Sequence, residues 1–290
     1  MIMKLTPSAS RNAVAAAIQI NSSSDKERNL RRAVQLTEEA TRQGASIVAL
    51  PEYFNCLGSW KEIVSNAECV PGPTSRQMCE LAKRLKIFLL AGSIAEVGAE
   101  PGRAYNTSLL IGPRGDILAR YRKQHLFDVQ LPTGVQIHES KHIIAGDQSV
   151  ITNTPWGNLG QSTCYDLRFP ELYRELADAE ADLVFVPSAF TRSTGRYHWE
   201  ILLRARVIEN QLFVLAPNQF GDHTPQLTSY GNSMIIDPWG NILARAADDQ
   251  EEVILAELHR ETLHEVRARI PCLVHRKNKI LGQQFNVRES

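Results

Sequence analysis

Apolar and polar positions along this chain fall into blocks whose period changes from strand-like to helical and back. Val14 to Ile20 is an apolar run of strand length, and Asn21-Ser22-Ser23-Ser24-Asp25 behind it offers several helix N-caps. Leu30, Ala33, Val34, Thr37 and Ala40 then recur at helical spacing, so one helix face turns inward until Gly44 ends it. Ile47-Val48-Ala49-Leu50 is a wholly apolar strand that runs into Pro51-Glu52. A helix through Met78, Leu81, Ala82 and Leu85 and a strand through Ile87 to Ala91 repeat the alternation.

The middle of the chain reads differently. Ser108 to Ile111 and Ile117 to Ala119 flank the turn Gly112-Pro113-Arg114-Gly115-Asp116, which is a hairpin signal. A second turn, Pro155-Trp156-Gly157-Asn158, precedes a strand ending at Cys164, and a third, Asp237-Pro238-Trp239-Gly240-Asn241, joins Ser233–Ile236 to Ile242–Ala244. Between them lie a helix after Phe169, a strand at Leu183 to Val186, a helix around His198 to Glu209 and a strand at Leu212 to Ala216. Two βα-rich halves with hairpins predict two mixed sheets packed face to face with helices outside. No linker or repeat divides residues 1–290, so one domain is expected, with its core from about 13 to 277 and loosely organised ends.

Composition narrows the function classes. Lys plus Arg (32) equals Asp plus Glu (32), so no net charge draws the chain to nucleic acid or to an anionic membrane. No apolar run reaches the roughly 20 residues of a membrane-spanning helix, and MIMKLTPSAS lacks the apolar centre of a secretory signal. Five scattered cysteines, at 56, 69, 79, 164 and 272, fit neither a disulfide framework nor a Cys-based zinc site. A reducing, cytoplasmic setting is the expectation.

Three segments carry residues able to do chemistry. Cys164, in Thr163-Cys164-Tyr165-Asp166-Leu167-Arg168-Phe169-Pro170-Glu171, stands where a strand gives way to a helix. Such a turn exposes a sulfur and brings backbone N–H groups near it, but an inert core thiol has the same local signature, and the segment leaves both readings open. Glu52, at the end of an apolar strand, is placed to line a crevice or simply to be a solvated loop residue. Lys123 follows a strand within the basic cluster Arg120-Tyr121-Arg122-Lys123, which by itself also fits a solvated surface. His125 and His198 are alternative bases, but no HExxH spacing, nucleophilic-serine elbow, dinucleotide fingerprint or P-loop is present, so neither a metal nor a cofactor is expected.

Together these segments resemble the nitrilase, or carbon–nitrogen hydrolase, superfamily. Leu50-Pro51-Glu52, Tyr121-Arg122-Lys123-Gln124-His125-Leu126 and Cys164-Tyr165-Asp166-Leu167-Arg168-Phe169-Pro170-Glu171 match its Glu-Lys-Cys triad in order and separation, across roughly Ala13 to Lys277. The resemblance implies a four-layer α-β-β-α sandwich and a further glutamate, which Glu139 supplies. It implies a thiolate attack by Cys164, proton transfer by Glu52, and an oxyanion held by Lys123 and the backbone N–H of Tyr165. Pro187-Ser188-Ala189-Phe190 and Thr194-Gly195-Arg196-Tyr197-His198-Trp199-Glu200 are most similar to the Nit branch, which holds deaminated glutathione amidases and ω-amidases. Ser188-Ala189-Phe190 with Leu202-Leu203-Arg204-Ala205-Arg206 leans toward the former, whereas Arg196-Tyr197 departs from that branch's small pair before His-Trp.

The implied activity is hydrolysis of a small carboxylate-bearing ω-amide to acid and ammonia, with nitrile hydrolysis as the alternative chemistry. Retention of all four residues argues against a silent scaffold. Arg168 is expected to hold the substrate carboxylate, with an ion pair to Asp166 or Glu171 as the structural alternative. Phe190, Thr194, and Arg192 and Arg196 in a loop before His198 are expected around the substrate. The family's habit implies a homodimer or larger homo-oligomer, and Ile270-Pro271-Cys272-Leu273-Val274-His275 is an apolar strip that a partner subunit could cover.

Overall fold

Side-chain parity along two groups of apolar strands sets the architecture. The computed structural model describes residues 12–131, 134 and 136–277; the chain's first ten residues and its tail beyond Lys277 lie outside them. The first sheet runs in the order Glu252–Leu258, Ala13–Gln19, Ile47–Ala49, Phe88–Leu90, Ala104–Ile111, Ile94–Val97, with Ile117–Arg122 and Ile143–Ile144 also paired to Ala104–Ile111. The second runs Val150–Asn153, Asn158–Gln161, Leu183–Phe185, Phe213–Ala216, Met234–Ile236, Ile242–Arg245.

Alternate residues of each strand serve different layers, as the two-residue period of a strand requires. Ala15, Ala17, Ile47, Ala49, Leu90 and Leu110 meet Leu159, Leu183, Phe185, Phe213, Leu215 and Ile235 between the sheets. On the far side of the first sheet, Ala16, Ile18, Val48, Leu50 and Leu89 pack against Ala33, Leu36 and Ala40 of the helix Lys26–Arg42 and Met78, Leu81 and Ala82 of the helix Pro73–Leu85. On the far side of the second, Val184, Val186, Val214 and Ala216 pack against Leu172, Tyr173 and Leu176 of Pro170–Asp178 and Trp199, Leu203 and Val207 of Arg192–Asn210. These are the four layers α-β-β-α.

All three turns read from the sequence join antiparallel strands. Two boundaries differ. The strand expected to end at Cys164 stops at Gln161, because Cys164 itself turns into the left-handed region, with φ +48°, and opens a short 3-10 turn, Cys164–Arg168. The helix expected around His198 starts at Arg192, six residues earlier, so Arg192 and Arg196 are on its first turns and not in a loop. Ser193, Thr194 and Gly195 are poor helix formers that hide this start. Gly195 is needed for packing: a Cβ there would stand 2.5 Å from the Cβ of Tyr230.

Candidate active site

The ends of three strands meet at one edge of the sandwich. Glu52 follows Ile47–Ala49 and Lys123 follows Ile117–Arg122, both in the first sheet, while Cys164 follows Asn158–Gln161 in the second. Glu139 opens a 3-10 turn just after the small hairpin Asp128–Gln130/Gln136–His138. All four side chains are buried. The solvated readings of Glu52 and Lys123 therefore fail, since ions out of water need partners.

Those partners are present. Lys123 Nζ donates to Glu52 Oε1 at 3.0 Å and to both carboxylate oxygens of Glu139 at 2.9 and 3.1 Å. Glu52 also accepts from Asn106 Nδ2 on Oε1 and from the Ala189 backbone N–H on Oε2, each at 2.8 Å. Glu139 accepts from the Phe127 N–H at 2.6 Å. Each carboxylate is thus held by several donors, and neither is free to rotate away from the lysine. Cys164 is fixed through its backbone N–H, which donates to the Pro187 carbonyl at 3.0 Å.

Burial and these charges set the protonation states. Burial, with the adjacent Glu52, pushes the Cys164 thiol well above its ordinary range, so at neutral pH it is a thiol. Burial works against charge on Lys123, but Glu139 and Glu52 more than offset it and hold the ammonium well above its ordinary value. Burial, aided by Glu52, raises the Glu139 carboxyl, while Lys123 pulls it back down. The arrangement sets a neutral thiol beside a carboxylate and a buried ammonium.

A cavity of about 660 Å³ opens over these groups. Glu52, Tyr53, Lys123, Glu139, Cys164 and Tyr165 form its reactive end, and Ser59, Trp60, Phe190, Thr194, His223 and Leu227 line the remainder. Phe190 and Thr194 are therefore at the cavity wall. Arg168 does not line it: its guanidinium lies 3.2 Å from His198 Nδ1 and stacks over the rings of Phe190 and Tyr165, at 5.2 and 5.8 Å. It pairs with neither Asp166 nor Glu171 among the described residues. Arg192 and Arg196 are exposed and outside the cavity lining, since the helix presents Thr191, Thr194 and Gly195 inward and turns these arginines out. Arg196 lies over the neighbouring Tyr197 ring instead.

Two side chains escaped the sequence reading. Tyr53, directly after Glu52, has φ +52° and a buried hydroxyl in the cavity wall with no partner among the described residues. Asn106 interrupts an apolar strand with a buried amide, a signal that a partner must exist nearby. Among the described residues no group of His, Cys, Asp and Glu is arranged to hold a metal ion.

Comparison with known proteins identifies the family. The carbon–nitrogen hydrolase family pattern matches residues 14–268. A deaminated glutathione amidase from Synechocystis is 45% identical over 266 residues, covering 91% of this chain and 97% of its own. The omega-amidase NIT2 of Mus musculus is 38% identical over 262 residues, covering 90% and 94%. The crystal structure of Saccharomyces cerevisiae Nit3, a member of the nitrilase superfamily, superposes with a TM-score of 0.82 at 34% identity, over 90% of this chain and 95% of that one. The chain belongs to the carbon–nitrogen hydrolase family, in the nitrilase superfamily, and is a hydrolase of carbon–nitrogen bonds.

Proposed function

We propose that this protein is an amidase that cleaves the ω-amide of a 2-oxo acid through a thioester on Cys164, with deaminated glutathione the first substrate and α-ketoglutaramate the second. The observation that carries the reading is the buried contact of Glu52, Lys123, Glu139 and Cys164 at one end of a cavity. Glu52 takes the thiol proton as Sγ attacks the amide carbonyl, and the tetrahedral oxyanion falls to Lys123 and the Tyr165 N–H. The C–N bond then breaks, and Glu52 returns its proton to the departing nitrogen. A water loses a proton to Glu52, attacks the thioester and releases the acid, and the proton goes back to sulfur. Glu139 keeps the Lys123 ammonium in place throughout.

With a primary amide such as α-ketoglutaramate the leaving group is ammonia. With deaminated glutathione it is an amine, because that amide joins the oxo acid to a cysteine-containing dipeptide. Cavity size favours the longer substrate: about 660 Å³ equals roughly twenty waters at about 30 Å³ each, much more than a short primary amide fills. The 45% identity to a deaminated glutathione amidase supports the same order. We keep Arg168 as the residue for the acid end: from its place behind Phe190 it reaches the substrate by giving up its contact with His198.

We also assign the protein to homodimers. Ile201, Ile208, Trp239 and Ile270 are 68%, 50%, 50% and 49% exposed, and a second cavity joins the last three, so a second copy has an apolar face to cover. A cytoplasmic setting suits a thiol nucleophile. No helix among the described residues is long and apolar enough to cross a membrane.

A panel of deaminated glutathione, α-ketoglutaramate, other ω-amides and neutral nitriles tests the substrate reading, with release of both the acid and the nitrogen product measured. The expected order is that given above. Faster turnover of neutral nitriles than of both acidic amides overturns it in favour of nitrile hydrolysis.

A further inference from the structure

The carboxylate of Asp166 is wholly buried, lies two residues beyond Cys164 and takes no part in the chemistry above. It accepts four hydrogen bonds. Oδ2 takes the Tyr121 hydroxyl at 2.6 Å and the Thr163 backbone N–H at 2.8 Å; Oδ1 takes the His125 backbone N–H at 2.9 Å and meets His125 Nδ1 at 2.8 Å. Tyr121 and His125 lie two residues either side of Lys123, and Thr163 directly precedes Cys164.

One of these bonds is an ordinary helix start, since the Thr163 N–H is the group that a residue three places on normally caps. The other three have no such local reason. They cross from the second sheet to the segment that leaves the first sheet, and they converge on one pair of oxygens. Glu139 and Glu52 hold the ammonium end of Lys123, and its backbone N–H and carbonyl bond Asn106 and Gly146, each at 2.9 Å; none of the backbone bonds reaches the segment of Cys164. Asp166 links that segment to the residues flanking Lys123, through the Tyr121 hydroxyl and the His125 backbone and ring. The ring of His125 is pressed flat on Phe169, with centroids 3.7 Å apart and planes 9° apart, so the Nδ1 contact is itself held from behind.

We propose that Asp166 is a positioning residue that fixes the segment Tyr121–His125, which carries Lys123, against the segment that carries Cys164, so that nucleophile and oxyanion cation keep one separation through both half-reactions. The proposal rests on the amidase reading for its kinetic consequence, and its geometric consequence stands apart from any substrate. Displacing one segment against the other by an ångström costs about 10²-fold in rate where alignment matters. Asn in place of Asp keeps the volume but presents an amide N–H₂ to two of the donors, which breaks their bonds without opening a cavity.

The test uses Asp166→Asn, with Tyr121→Phe and His125→Phe as single-contact variants; the last keeps a ring on Phe169. Two readouts apply: kcat and KM on whichever amide is turned over, and alkylation of Cys164 by iodoacetamide, followed by peptide mass spectrometry with the exposed Cys69 as internal reference. For Asp166→Asn we expect kcat to fall about 10²-fold with KM within about threefold. The ratio of Cys164 to Cys69 alkylation should change about tenfold or more. The single-contact variants should each lose about tenfold in kcat, and they decide the matter if Asp166→Asn does not fold. A folded Asp166→Asn protein with wild-type kcat and alkylation ratio overturns the proposal, as do two folded single-contact variants with wild-type values. If no amide is turned over by the wild type, the amidase reading fails, and alkylation alone still decides the role of Asp166.

Discussion

Lys123→Met removes one buried cation from between two buried carboxylates, and the structure fixes what should follow. The Lys123, Glu52 and Glu139 side chains are 2%, 3% and 2% exposed, so water replaces the lost ammonium only in part. Breaking a buried ion pair while leaving its partner costs about 3–5 kcal/mol. At about 2 °C per kcal/mol for a chain of this size, the melting temperature should fall by about 6–10 °C. The loss should depend on pH. Burial already holds the Glu139 carboxyl above its ordinary 4.5, and Lys123 is what pulls it down. A raised carboxyl contributes stability below its unfolded value and loses it as pH rises through the folded value, and the variant raises that value further. The deficit relative to wild type should therefore be smaller near pH 5 than near pH 8. Lys123→Met/Glu139→Gln, which removes the second charge as well, should recover about 1–3 kcal/mol of it at the higher pH. Turnover should fall by at least about two to three orders of magnitude in Lys123→Met, because the oxyanion loses its cation. Thermal unfolding of the three proteins at both pH values, with kcat at the higher one, measures all of this. A Lys123→Met protein that melts with the wild type near pH 8, or turns over within tenfold of it, refutes the buried ion-triad reading.

Glu52→Gln should cost turnover about as much as Lys123→Met, and the double variant little more than either, because the groups act as one unit; additive losses in steady-state kinetics would contradict this. Cys164→Ala should abolish turnover with the fold intact, and it should also flatten the alkaline loss of stability. The buried thiol's raised value means that the wild type loses up to about 1.4 kcal/mol per pH unit above the ordinary thiol value of 9.0, and identical pH–stability curves for the two would count against it. Tyr53→Phe removes the unpartnered hydroxyl in the cavity wall; if it meets substrate, kcat/KM falls by about tenfold while stability holds or improves, and unchanged kinetics assign it to packing. Arg168→Ala should raise KM for every 2-oxo-acid amide by an amount worth about 1.5–3 kcal/mol, whereas Arg192→Ala and Arg196→Ala should stay within about twofold on all substrates, including deaminated glutathione. Light scattering at micromolar concentration should give at least a dimer mass, and a monomer mass would remove the second-copy reading.

The elements that sequence pattern recovered are those whose signal is local. The helix Lys26–Arg42 has its apolar spacing and its Asp25 cap within one stretch, and the three hairpin turns carry their own Pro and Gly with Asn or Asp. Glu52, Lys123 and Cys164 each looked ambiguous in isolation because their burial depends on strands far apart in the chain. Only their joint resemblance to a family brought them together. What stayed hidden was long-range or conformational. The strand Glu252–Leu258 gains its place from Ala13–Gln19 across the whole chain, and the hairpin Phe220–Thr224/Leu227–Tyr230 contributes His223 and Leu227 to the cavity without an alternating pattern to announce it. Arg192 and Arg196 read as substrate contacts only if their segment is a loop. Once the helix starts at Arg192, its 3.6-residue period sends them outward and leaves Thr194 at the wall. Asp166 carried the most information and the least signal, since nothing in its neighbours shows that Tyr121 and His125 will converge on it.

The central claim, that Cys164 carries the acyl group, is tested most directly by intact-protein and peptide mass spectrometry after rapid acid quench during turnover of deaminated glutathione or α-ketoglutaramate. The account predicts a mass increase equal to the oxo-acid acyl group, located on the peptide containing Cys164, discharged by hydroxylamine and absent from Cys164→Ala. An acyl group on any other residue, or an alanine variant that keeps even a tenth of the wild-type rate, contradicts it.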